Sequence, residues 1–256
     1  MSTVTGWRLK LVFFAGLLLL WEGLVRLHLW PSYIFPSPLT VGQSLLNGIA
    51  DGVIPLAILT SLRRLLLAYA ISLLIGIPLG LLLGRTPLLQ ETLGTIVLGL
   101  QALPSICWLP LALLWFGLSE TAITFVVVMG AVLSITLSTA DGVRNTPPLY
   151  LRAARTMGAR GWRLYTAVIL PSTLPAILSG MKLGWSFAWR SLMAAELIYI
   201  TTGLGQVLTL GRELNDMARV LSVMLVIISI GLLADYAVFR PAELRIRQRW
   251  GLHAGA

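Results

Sequence analysis

Long apolar runs alternate along this chain with short segments that hold most of its arginines. Six runs stand out, at roughly 9–29, 65–84, 93–117, 121–140, 172–199 and 220–239. Each approaches the ~20 residues of helix that cross ~30 Å of hydrocarbon. Backbone polar groups in lipid must be satisfied within their own segment, so helix is the expected state of every run. The pattern predicts an all-α, polytopic integral membrane protein of about six transmembrane helices, with residues 1–256 forming one domain. The first run opens like a signal peptide, with Arg8 and Lys10 ahead of it, but no small-x-small site follows. The apolar stretch continues past Trp21 to Trp30, so an uncleaved first helix is expected. Between the first two runs, Ser37 before Pro38 marks a helix start, and Gly48 with Asp51-Gly52 marks its stop. A short amphipathic helix on the membrane surface is predicted there.

Composition agrees with this reading. The chain is 57% hydrophobic and 11% charged, against about 25% charged in a globular domain. One cysteine, Cys107, excludes an internal disulfide and a cysteine-based metal cluster, and its apolar surroundings predict burial. His28 and His253 stand near segment ends without companions, so no metal site is expected. The net charge of +9 invites a nucleic-acid partner. Its placement argues otherwise. With the N-terminus in the cytoplasm, Arg8, Lys10, Arg85, Arg144, Arg152, Arg155, Arg160, Arg163, Arg240, Arg245, Arg247 and Arg249 all fall inside. Arg26, Arg63, Arg64, Arg212 and Arg219 fall outside, beside Asp51, Glu120, Glu213 and Asp216. That asymmetry is a positive-inside signal with both termini cytoplasmic; the basic surplus is largely a topology signal and needs no nucleic acid.

Three features within the runs are candidates for function. Gly76, Gly80 and Gly84 recur four apart and give one helix face a smooth groove, suited to packing inside the subunit or to a dimer contact. Pro104 and Pro110 flank Ser105, Cys107 and Trp108, so the third run should break and free backbone carbonyls, lining a cavity or only kinking the helix. Lys182, Ser186, Trp189, Arg190 and Glu196 share the fifth run. Lys182 and Arg190 lie within about 80° of each other on a helix. They suit an anion pathway; alternatively Arg190 pairs with Glu196 or Glu120, and Lys182 snorkels to the surface.

The arginine-rich segment 144–171 should stand in the cytoplasm. The double proline at 147–148 starts a helix, Gly158 caps it, and a second short helix follows before Pro171 restarts the chain into the membrane. Ala153 and Ala154 form a small-sided face open to another protein, and the arginines either anchor that contact or simply touch anionic headgroups.

Ala153, Ala154, three residues, Gly158, nine residues, then "VILP" at 168–171 resembles the "EAA" loop of bacterial ABC-transporter permeases. Arg152 stands where that pattern has glutamate, which reverses a charge. Further blocks resemble the nitrate/sulfonate/taurine branch, including "FPSPLTV" at 35–41, "GIPLGLLLGR" at 76–85 and "AWRSLMAAEL" at 188–197. The resemblance implies a type I ABC importer permease in the bacterial inner membrane, usually a homodimer. It implies that Arg152, Ala153, Ala154, Gly158, Leu170 and Pro171 dock an ATP-binding cassette subunit. ATP and Mg would be bound by that partner, and a periplasmic or surface-anchored binding protein would deliver a small solute. Consistent with a separate motor, the lysines are Lys10 and Lys182, neither preceded by glycine, so no P-loop exists. The expected cargo is an anion such as a sulfonate, taurine or nitrate, with a heterocyclic vitamin precursor as the alternative. An ion-coupled secondary transporter is a further alternative, which would usually need more spans and inverted halves than are visible in the sequence. An intramembrane enzyme would need a catalytic set, and no catalytic residue is expected.

Overall fold

The computed structural model describes residues 3–199 and 201–249. Every regular element among them is helical. We number them α1 (Thr3–Arg26), α2 (Pro38–Ala50), α3 (Val53–Arg85), α4 (Pro87–Gln101), α5 (Ser105–Phe116), α6 (Glu120–Arg144), α7 (Pro148–Thr156), α8 (Gly161–Ile198), α9 (Leu204–Glu213) and α10 (Met217–Ile246).

Helices α3, α6, α8 and α10 are long and apolar enough to cross a membrane, giving four spans, or five if α4 and α5 form one broken span. Helix α1 is not among these spans; its 24 residues reach about 36 Å at 1.5 Å each. It carries Arg8, Lys10, Glu22 and Arg26. The second span begins earlier than its apolar run, at Val53 instead of 65, because Arg63 and Arg64 lie within the helix.

The chain divides into two compact units, Met1–Ser61 with Ile200–Ser229, and Leu62–Tyr199 with Ile230–Ala256. In the first, Ser37 caps α2 by accepting the Thr40 N–H at 3.2 Å. Trp21 Nε1 donates to the Pro36 carbonyl at 3.1 Å, tying α1 to the segment before α2. Ser61 Oγ accepts the Leu204 N–H at 2.9 Å, which fixes the start of α9.

The second unit is organised around α6, whose buried face runs from Ala122 to Val143. Helix α3 reaches it through the glycine stripe. A Cβ at Gly80 would lie 2.5 Å from the Thr136 carbonyl oxygen, and one at Gly84 2.6 Å from that of Ala140. Gly76 meets Ile135 in the same way, with a Cβ there 2.9 Å from its Cγ2. Such spacings exist only because the side chains are absent, so the stripe is occupied by α6 of the same chain and has no room for a second copy. On the other side, Gly184 of α8 meets Ile135.

The third span breaks as its prolines suggest. Helices α4 and α5 meet at 102°. Pro104 stands at the break with extended backbone (ψ 134), whereas Pro110 sits in the first turn of regular α-helix, where a missing N–H costs nothing. The break also turns Cys107 outward, so it is exposed and not buried as its apolar setting suggested.

Candidate functional site

Helix α7 ends in a two-bond cap. The Gly158 N–H donates to the Arg155 carbonyl at 3.0 Å, and the Ala159 N–H to the Ala154 carbonyl at 2.9 Å. This Schellman end needs a left-handed residue at its bend, and Gly158 supplies φ 82. The spacing of Ala154 to Gly158 thus has a local cause, since that alanine provides the carbonyl capped by the residue after the glycine. Ala154 is buried with Val143, Leu164 and Ile169, so it holds the loop to its own body. Only Ala153 and Arg152 of the expected docking pair and its neighbour face outward, which corrects the picture of two alanines forming an open face. Gly158 is exposed, Leu170 is at the exposed margin, and Pro171 is half-buried.

Pro171 does not restart the chain. Helix α8 is helical from Gly161, and a wide π turn at Tyr165–Ile169 precedes the proline. That turn holds Ala167, whose carbonyl the proline ring would otherwise strike. Around the bend, Arg152, Arg155, Arg160 and Arg163 are exposed, beside Met157 (87% accessible) and Trp162 (80%). The Arg85 guanidinium lies 4.2 Å from the Tyr165 ring centroid, joining the end of α3 to this loop.

The break between α4 and α5 opens a cavity of about 260 Å³, lined by residues 101–105, Gly130 of α6, and Phe187 and Arg190 of α8. Pro104 and Ser105 belong to this lining. Arg190 is held from one side only: its Nε donates to the Ser186 carbonyl at 3.1 Å and its Nη2 to Ser186 Oγ at 3.3 Å. Its guanidinium stands 4.9 Å from the Phe187 centroid. No carboxylate lines this cavity among the described residues, so the cation is not neutralised there. Trp108 is elsewhere, edge-on to Phe125 at 6.2 Å.

Lys182, Ser186 and Trp189 line a separate cavity of about 250 Å³ with Trp185, Asp235 and Phe239. Lys182 Nζ pairs with Asp235 Oδ1 at 2.6 Å. The expected cationic strip is therefore split over two faces of α8, with Arg190 on one cavity and a neutralised Lys182 on the other.

Glu196 does not line the cavity of Arg190. It is buried, and its Oε1 accepts from Arg64 Nη1 at 3.0 Å. The same guanidinium holds Glu120 through Nε (2.6 Å) and Nη2 (2.5 Å), so Arg64 of α3 clamps the start of α6 and the end of α8. Sequence reasoning counted Arg64 as an outer flanking charge and missed this role. The available signal was an acid in each of two other apolar segments that needed a cation.

An all-helical body with apolar spans, a chamber opened by a broken helix beside an arginine, and a capped basic bend describe a polytopic membrane protein. The family of binding-protein-dependent transport system inner membrane components matches residues 76–240, and the chain belongs to it. It is 33% identical over 75% of its length, and 71% of the relative's, to the taurine transport system permease protein of Escherichia coli. To a putative ABC transporter permease of Methanocaldococcus jannaschii it is 33% identical over 68% of its length and 66% of the relative's. A putative aliphatic sulfonates transport permease of Bacillus subtilis is 25% identical over 90% of this chain and 83% of the relative. The chain is thus an ABC permease of the nitrate/sulfonate/taurine branch, a transport subunit and not an enzyme.

Proposed function

We propose that this chain forms, as a homodimer in the bacterial inner membrane, the translocation path of an ATP-driven importer for a small anion. The observation that carries this reading is Arg190, which faces the chamber at the broken helix without a neutralising carboxylate. A guanidinium presents several donors to a sulfonate, nitrate or carboxylate group. Relatives named for taurine, aliphatic sulfonate, nitrate and bicarbonate transport support the same charge class.

In this proposal the six spans place both termini in the cytoplasm, and the loop 144–171 meets the ATPase there. Arg152, Ala153 and Gly158 lie on its exposed side, with Met157 and Trp162 as apolar anchors. ATP and Mg are bound by that partner, and a binding protein delivers cargo from outside. Anionic lipid surrounds the basic inner segments.

The test is uptake by the assembled complex in liposomes, offered taurine, methanesulfonate, nitrate and bicarbonate in turn. Arg190→Gln, at normal assembly, should lower uptake of the transported anion about 10- to 100-fold, the worth of one charge-assisted hydrogen bond. Unchanged uptake would remove Arg190 from the path.

A further inference from the structure

A second, larger space adjoins the chamber of Arg190. It has a volume of about 420 Å³ and its polar lining comprises Gln90, Thr95, Gln101, Ser138, Asp141 and Arg144. Gln101, the last residue of α4, lines both cavities. On α6 the first cavity touches Met129 to Leu133 and the second touches Leu137 to Arg144. The two therefore follow one another along α6, and Gly130 to Arg144 spans about 21 Å at 1.5 Å per residue. Each holds an arginine, Arg190 in the first and Arg144 in the second, the latter half-exposed and paired with Asp141 at 3.1 Å.

We propose that Gln101 is the specificity-determining gate between these two chambers, passing an anion from Arg190 toward Arg144. This rests on the anion reading above. The chemistry suits a gate: a carboxamide offers two N–H donors to an oxyanion and carries no charge. Conduction requires that a site bind well enough to admit a solute and weakly enough to release it. A full positive charge next to the chamber of Arg190 would hold an anion, and a negative one would repel it. A neutral donor does neither. Its position at the end of α4, beside the extended backbone of the break, also means that a change in the 102° bend would move it relative to both chambers.

Two measurements test this. The first needs no knowledge of the cargo. In a Cys107→Ser background, required because Cys107 is exposed, Gln101→Cys in the assembled complex is treated with anionic sulfonatoethyl and cationic trimethylammonioethyl methanethiosulfonate. After correction for their rates with a free thiol, the anionic reagent should react at least about tenfold faster, a preference expected beside the chamber whose charged lining residue is Arg190. Arg190→Gln should erase it. No modification, or no charge preference, overturns the proposal while leaving the importer reading standing. The second is anion uptake by Gln101→Glu, nearly equal in size, which should fall on the order of a hundredfold as a like charge comes within a few ångströms of the solute. Wild-type uptake by that variant, at normal assembly, also overturns the gate. If the unaltered complex takes up none of the four anions, the cargo reading fails, and the labelling result alone decides whether Gln101 stands on a charged aqueous track.

Discussion

Removing Arg64 should destabilise this protein far more than removing one of its partners. The guanidinium joins Glu196, whose side chain is 0% accessible, to Glu120, whose side chain is 58% accessible, and is itself 10% accessible. Losing one member of a buried pair costs about 3–5 kcal/mol, because the other charge stays buried without its countercharge. Neutralising Glu120 leaves Arg64 its buried partner Glu196, and water reaches Glu120, so that change should cost on the order of 1 kcal/mol. Arg64→Met should therefore lower the unfolding temperature in lipid nanodiscs by about 6–20 °C, at about 2–4 °C per kcal/mol for a chain of this size. Glu120→Gln should move it by only a few degrees. The double variant Arg64→Met with Glu196→Leu removes both buried charges and should recover most of the loss. Glu196→Leu alone completes a double-mutant cycle with the unaltered protein, Arg64→Met and the double variant, read by tryptophan fluorescence melts. If Glu120→Gln is as damaging as Arg64→Met, or the double variant is no better than Arg64→Met, the reasoning is wrong.

The glycine stripe and the capped bend make two further expectations. Gly80→Val has no space, since even a Cβ would sit 2.5 Å from the Thr136 carbonyl oxygen; it should cost at least about 1–3 kcal/mol, and an unchanged melt would mean that α3 and α6 are not in close contact. Gly158→Val places a branched side chain at φ 82, at a penalty of about 1–2 kcal/mol, and should open the end of α7 to trypsin at Arg155 and Arg160. Gly158→Asn should be digested nearly as slowly as the unaltered protein, and equal digestion of all three would refute the assigned cap.

What could be read from the sequence was local. Apolar runs announced most spans because about twenty residues of hydrocarbon-compatible helix leave a contiguous trace. The helix–bend–helix around Gly158 was legible because Pro148 and Gly158 each act on their own turn. The partners of charged residues were not legible, because Arg64 meets residues 56 and 132 positions away. The same two arginines misplaced the start of α3: a charge in an apolar run looks like its end until the carboxylate that neutralises Arg64 is found on another helix. Lys182 and Asp235 repeat the lesson on α8 and α10. For Pro171, a local rule misled, since the widened turn before it lets the helix pass through.

That uninterrupted passage has a mechanical consequence. Helix α8 has 38 residues, a rod of about 57 Å at 1.5 Å per residue. Trp162 near its start, then Lys182, Arg190 and Glu196, are carried on one continuous helix. A thrust delivered at the foot must disturb the cavities of Lys182 and Arg190 and the Arg64 grip together. The π turn at Tyr165–Ile169 and the in-helix Pro175 are where that rod can give.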